Sequence, residues 1–280
     1  MAANPPPPDN LDLEAKLNQL RAILQSLGAV ALAYSGGVDS SYLLAACIDV
    51  LGSERVLALT VDSPLMSRAE LRTAREIATQ LGARHQVVTI DELALTDVRA
   101  NRPDRCYHCK RARFETLATV ARAAGDLKVI HGENADDRFD YRPGSAAARE
   151  LRVRAPLAEA GMTKADIRAL SRQRGLPTWD HPAAACLASR IPYGTALTRD
   201  ALERVEQAEA ALQALLPGQQ LRVRDHYPIA RVEVPDGMLE RIVEPSLRSA
   251  IVERLHAAGY RYVTLDLEGY RMGSLNESIT

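Results

Sequence analysis

The chain has 280 residues and a mass of 30.6 kDa, more than one average domain of roughly 100–200 residues. Hydrophobic residues make up 46% and charged residues 25%, which excludes wholesale disorder. Lys plus Arg (35) balances Asp plus Glu (36), so the basic excess of a protein living on nucleic-acid phosphates is absent, and no apolar run reaches the roughly 18 residues needed to span a membrane.

In chain order, residues 1–10 are small residues around the Pro5–Pro8 run. They have neither the basic start nor the apolar stretch of a signal peptide, and are expected to form a disordered tail on a cytoplasmic chain. Leu13, Leu17, Leu20, Leu24 and Leu27 recur at spacings of three and four and predict a helix over 11–27. Ala29 to Tyr34 predicts a strand, broken by Ser35-Gly36-Gly37, with a helix from Asp39 to Leu51. Strands at 56–61, 85–90 and 127–131 alternate with helices at 67–81 and 105–124. This rhythm predicts an α/β fold: a parallel sheet with helices on both faces. After Gly144 the pattern changes to helices at 164–174, 198–215 and 247–258 and short strands at 221–224, 229–234 and 260–265, a smaller α+β domain. A boundary between Pro177 and Pro192 gives domains of 11–180 and 181–280.

The sharpest motif is Ser35-Gly36-Gly37-Val38-Asp39-Ser40 between the first strand and a helix. Two glycines let backbone approach an anion, and the helix start presents unpaired N–H groups and a positive dipole end. Ser35 and Ser40 add hydroxyls, and Asp39 is placed to cap the helix or to hold Mg²⁺ between phosphates. Neither G-x-x-x-x-G-K-[ST] nor a G-x-G-x-x-G after this strand is present, so Walker and dinucleotide loops are disfavoured.

The motif resembles the loop of the ATP pyrophosphatase (PP-loop) superfamily, whose adenine-nucleotide alpha hydrolase-like fold adenylates a carbonyl or carboxyl oxygen and releases pyrophosphate. The resemblance extends to His131-Gly132-Glu133-Asn134-Ala135-Asp136-Asp137, which matches the superfamily's second nucleotide loop, and to Asp62 at the end of the second strand. It implies ATP and Mg²⁺ bound by Ser35, Gly36, Gly37, Asp39, Ser40, Asp62, Gly132, Asn134 and Asp136. Asp140-Tyr141-Arg142-Pro143-Gly144, the stretch from Trp179 to Gly194 and Leu267-Glu268-Gly269-Tyr270-Arg271 are similar to the LarE family of ATP-dependent sulfur transferases, which make the nickel-pincer nucleotide cofactor. That likeness implies a pyridinium-3,5-biscarboxylic acid mononucleotide substrate, its carboxyls adenylated and converted to thiocarboxyls. A homo-oligomer is implied by resemblance alone.

Four cysteines, Cys47, Cys106, Cys109 and Cys186, are no disulfide scaffold in a chain this long. Cys47 reads as a small buried hydrophobe. In the single-cysteine form of the family, the residue matching Cys186 gives up its sulfur once. This chain departs from that form through Cys106-Tyr107-His108-Cys109. Three thiolates suit a [4Fe–4S] cluster that leaves one iron open to carry a sulfide, making Cys186 a ligand that is not consumed. Zinc with His108 or His181, a Cys106–Cys109 redox pair, and a sacrificial Cys186 are the alternatives. Arg222 and Arg224 alternate on one strand face, either solvated or clamping a phosphate; the resemblance implies the latter, for the mononucleotide. Arg190 is a candidate for a phosphate or the activated carboxylate. Glu206 and Glu209 are candidates for a metal or a proton, and Trp179 for stacking on the pyridinium or for packing. A PP-loop tRNA thiolase is the alternative activity. The neutral charge disfavours stable nucleic-acid binding, and the sulfur donor is not identified by sequence.

Overall fold

A computed structural model describes residues 10–139, 143–182 and 185–271. Asp140-Tyr141-Arg142, Ala183-Ala184 and the proline run lie outside the described residues. The chain folds into two compact units. One takes the chain up to Ile90 and from Cys106 to Ala184, the other Asp91–Arg105 and the chain from Ala185 onward. Residues 91–105, which the sequence reading placed in the first domain, therefore pack with the second unit.

In the first unit α1 (Asn10–Leu27), β1 (Val30–Ala33), α2 (Val38–Leu51), β2 (Val56–Asp62), α3 (Arg68–Gln80) and β3 (Arg84–Thr89) follow the predicted alternation within one or two residues. The chain passes through α4 (Thr96–Arg99) of the second unit. It returns with α5 (Arg105–Ala123), β4 (Lys128–His131), α6 (Pro143–Glu150), α7 (Pro156–Glu159) and α8 (Lys164–Gln173). The sheet is parallel in the order β3-β2-β1-β4. Because β1 is covered on both faces, both sets of its alternating side chains are apolar. Val30 and Leu32 join Leu24, Leu43, Leu44 and Ile167 in one cluster; Ala31 joins Leu57, Leu59, Leu117 and Ala121 in the other. Reciprocal capping boxes start α3 (Ser67 with Glu70) and α8 (Thr163 with Asp166), satisfying N–H groups that a helix start leaves open.

The second unit holds α4, a tight turn at Leu187–Arg190, α9 (Arg199–Leu215), β5 (Arg222–His226), β6 (Ile229–Glu233), α10 (Leu239–Ile242), α11 (Pro245–Ala257) and β7 (Tyr262–Leu265). Its sheet runs β5-β6-β7, antiparallel then parallel. Ala208 and Leu212 of α9 and Ile251 and Leu255 of α11 cover Val223, Ala230 and Val232. The opposite face carries Arg222, Arg224, Arg231 and Glu233.

Asn101 joins segment 91–105 to this unit. It is fully buried with φ 52°, and its amide donates to the carbonyls of Ile191 (3.3 Å), Pro192 (2.9 Å) and Thr195 (3.0 Å). Its Oδ1 accepts from Arg105, which also donates to the Ala188 carbonyl at 3.1 Å. No helix of the described residues is long and apolar enough to cross a membrane.

Asn101→Ala strips these carbonyls of their donor and puts a Cβ-bearing residue without a local hydrogen bond at positive φ. It is expected to cost about 2–3 kcal/mol, measured by denaturant unfolding, whereas Asn101→Gly separates the amide's share from the backbone's. A second test uses pH. Burial alone would raise the Asp166 carboxyl, but hydrogen bonds from Thr163 and Lys16 outweigh it and hold its pKa below the ordinary 3.8. The stabilisation is therefore complete above the unfolded value and lost as pH falls through the lower folded one. Asp166→Asn should flatten that acid limb of the stability–pH curve and leave the chain less stable at neutral pH.

Candidate functional site

The order β3-β2-β1-β4 has one point where successive crossovers depart in opposite directions, between β1 and β4. Ligands of open parallel sheets bind beyond the carboxyl ends of the strands at such a point. Ser35–Ser40 follows β1 there and His131–Asp137 follows β4.

Gly36 has φ +76°, and a Cβ on it would lie 2.8 Å from the Ala74 Cα of α3, so only glycine fits the turn. Gly37 is the extended N-cap of α2 without a side-chain cap, so Asp39 lies inside the first turn and does not cap it. The Gly37 N–H donates to Ser35 Oγ (3.3 Å), Ser40 Oγ donates to the Gly37 carbonyl (3.1 Å), and the two hydroxyls are 3.1 Å apart. Gly132 lets the second loop press on this turn, since a Cβ there would sit 3.0 Å from the Ser40 nitrogen.

Asn134 shapes that second loop. Its Oδ1 accepts the N–H groups of Asp136 (2.9 Å) and Asp137 (3.3 Å), and its own N–H donates to Asp137 Oδ2 (3.1 Å). Asp136 accepts the backbone N–H of Lys164 at 2.8 Å, which ties the loop to the start of α8. The Lys164 ammonium meets Asp39 Oδ2 at 2.7 Å, while the buried Oδ1 has no hydrogen-bond partner among the described residues. Burial pushes the Asp39 carboxyl up, Lys164 opposes this, and the charge of Asp137 adds to the rise. An orphan carboxylate oxygen beside a second carboxylate suits a Mg²⁺ ion, a hard cation ligated by oxygen. Asp62 pairs with Arg68 at 2.6 Å, and Arg68 also donates to the Ser63 carbonyl at 2.8 Å.

Sequence reasoning missed three cations here. Lys164 had no motif, because its partner lies 125 residues away and only the fold joins them. Lys110 and Arg113 follow Cys106 at i+4 and i+7, a spacing that was legible as one helix face. Lys110 lies 3.9 Å from Glu133, whose carboxylate accepts from Ser145 at 3.0 Å, and Arg113 donates to Ser63 Oγ at 3.2 Å. Burial, with Lys110 adding, pushes His131 down to about 3, so it stays a neutral ring packed edge-on to Phe114.

Cys106 and Cys109 are half-buried cysteines one turn apart on α5. Cys47 is fully buried, and burial pushes its thiol up to about 12, so it is inert packing. Among the described residues no group of three or more His, Cys, Asp and Glu gathers to hold a metal ion. Trp179 packs its ring against Arg172 at 4.9 Å, and His181 is exposed.

In the second unit Cys186 is a free, half-buried thiol just before the Leu187–Arg190 turn. Arg190 holds this turn by donating to the carbonyls of Ala185 and Cys186 (3.1 Å for the latter) and to Ser189 Oγ (3.0 Å). Its remaining fork is bidentate to Glu209 at 2.9 and 2.8 Å, and Glu209 also accepts the Val223 N–H at 3.0 Å. Glu209 thus orients Arg190 and the strand; Glu206 is half-buried one turn earlier. Arg224 is bidentate to the fully buried Glu233 at 2.8 and 2.7 Å and donates to the Ser189 carbonyl at 2.7 Å. Arg222 has no carboxylate partner among the described residues; burial, with Arg190 adding, lowers its pKa.

The NAD synthase family profile matches residues 13–135. An uncharacterized protein of Synechocystis sp. is 42% identical over 268 residues, 96% of this chain and 99% of its own length. The pyridinium-3,5-bisthiocarboxylic acid mononucleotide synthase of Lactiplantibacillus plantarum is 38% identical over 269 residues, 96% of each chain. The chain belongs to that synthase's family, the LarE family. The argininosuccinate synthase of Natronomonas pharaonis is 31% identical over 158 residues, 53% of this chain and 39% of that one.

Lys164→Met leaves Asp39 facing Asp137 without its cation. Loss of one preorganised charge at a phosphate site is expected to lower ATP turnover about 100-fold, measured as pyrophosphate release. Gly36→Ala forces a side chain into Ala74 and should abolish Mg²⁺–ATP binding in calorimetry.

Proposed function

We propose that this chain is an ATP-dependent sulfur transferase acting on pyridinium-3,5-biscarboxylic acid mononucleotide. The single observation that carries the reading is the full-length similarity to the Lactiplantibacillus plantarum synthase, together with a phosphate loop built as such chemistry needs. A carboxylate is a poor electrophile. Its oxygen attacks the α-phosphorus of ATP, pyrophosphate leaves, and the acyl adenylate then carries a good leaving group. A sulfur nucleophile displaces AMP and leaves a thiocarboxylate. Ser35, Gly36, Gly37 and Ser40 hold the departing phosphates. Asp39, with Asp137 and Asp136 near it, holds Mg²⁺, and Asp62 with Gly132 and Asn134 borders the nucleoside. Arg222 and Arg224 take the substrate phosphate, the former by direct contact and the latter by its field, while Arg190 and Glu209 fix the Cys186 turn.

The finer reading concerns the sulfur. Cys106, Cys109 and Cys186 would hold a [4Fe–4S] cluster. What supports this is the donor set: three cysteines, two of them one helical turn apart. Such a cluster would supply an iron that no cysteine of this chain ligates, available for sulfide chemistry, and Cys186 would serve as a ligand and not be consumed. The protein works in the cytoplasm as a homo-oligomer, with thiols in the reduced state that this chemistry needs.

Anaerobically purified protein should contain iron and acid-labile sulfide and release pyrophosphate only when the pyridinium mononucleotide is added. It should transfer more than one sulfur per chain, and Cys106→Ala should end multiple turnover. Iron-free protein with one sulfur transferred per chain, the loss appearing as dehydroalanine at Cys186, would falsify the cluster while keeping the reaction. Pyrophosphate release driven by tRNA and not by the mononucleotide would overturn the substrate.

A further inference from the structure

Three guanidiniums, those of Arg190, Arg222 and Arg224, share one side of the second unit with two carboxylates. Glu209 occupies the fork of Arg190 and Glu233 that of Arg224. Arg222 is different. Its only hydrogen bond among the described residues runs from Nη1 to the neighbouring Leu221 carbonyl at 2.7 Å, and its Nε and Nη2 have none. One face of the guanidinium is held, because its carbon lies 5.4 Å from the centre of the Tyr270 ring. The ring has its own fixed support. After β7 the chain turns at Asp266–Gly269, closed by the Gly269 N–H to the Asp266 carbonyl at 3.2 Å. The Tyr270 N–H then donates to the Val234 carbonyl at 2.8 Å, just past β6.

We propose that Tyr270 is a positioning residue for phosphate recognition: its ring fixes the plane of Arg222 so that Nε and Nη2 receive two oxygens of the substrate's phosphate monoester. The inference rests on the reading of Arg222 as the phosphate anchor and adds which arginine makes contact and what orients it. A planar guanidinium binds phosphate through its edge and an aromatic ring through its face, so the two contacts do not compete. The Glu209 and Glu233 pairs occupy the forks of the other two guanidiniums and keep them from taking that edge-on contact. The C-terminal segment thus selects the mononucleotide over the nucleoside that lacks the phosphate.

The test uses the full-length protein, with pyridinium mononucleotide and inorganic phosphate as calorimetric probes and steady-state kinetics as a second readout. Tyr270→Leu should weaken mononucleotide binding and raise its KM about tenfold, the scale of a desolvated cation–π contact, with kcat and ATP affinity unchanged. Tyr270→Phe, which keeps the ring, should stay within about twofold of the parent. Tyr270→Gln should behave as the leucine variant does, so the outcome does not hang on one variant's folding. Parent-like binding by the leucine and glutamine variants, or a phenylalanine variant as weak as they are, overturns the role of the ring. If Arg222→Gln also binds mononucleotide like the parent, the phosphate anchor itself has failed, and with it the reading beneath this inference.

Discussion

A half-buried carboxylate with one orphaned oxygen organises the loops that follow β1 and β4. Asp39 sits in the first turn of α2 with one oxygen on Lys164 and the other without a partner, and Asp137 opposes its ionisation. Removal of the lysine would leave charge with no compensation in a poorly solvated place, which is costly. The ammonium in turn has its location because the Lys164 backbone is fastened to Asp136 and α8 is started by the Thr163–Asp166 box. Three segments far apart in sequence therefore converge on one charge balance, and the glycines of the two loops allow them to come close enough.

The second unit solves a related problem with the sign reversed. Its sheet face carries arginines that would repel one another if left alone. The buried Glu233 neutralises Arg224, and Glu209 neutralises Arg190 of the adjoining turn, in bidentate pairs that also lock the Cys186 turn and the end of β5. Arg222 is left without a carboxylate partner among the described residues. Fixed positive charge with one open valence is a suitable receptor for a dianion, because the protein meets little reorganisation cost when the ligand arrives.

Local pattern revealed most of the parallel sheet, because four apolar runs between amphipathic helices carry their own periodicity. It also revealed the phosphate loop, since Ser35-Gly36-Gly37 before Asp39 is a statement about backbone approach that the residues make by themselves. The short helices α4, α6 and α7 were not legible, being of four to eight residues with no full period of apolar spacing. Lys164 was invisible as a site residue because nothing near it in sequence announces a carboxylate. Glu209, in sequence a candidate for a metal or a proton, is bidentate to Arg190, a partner that only folding brings to it.

Segment 91–105 gives the chain an unusual architecture: the backbone passes between the two units at three places, after Ile90, Arg105 and Ala184. Asn101 and Arg105 are internal parts of a unit whose remainder is made some eighty residues later. A single cut near residue 184 therefore yields no complete C-terminal half, and the two units cannot be traded between proteins as cassettes. During synthesis the early segment waits for its late partners to leave the ribosome, so the Cys186 turn is assembled last, after the nucleotide-binding strands are already in place.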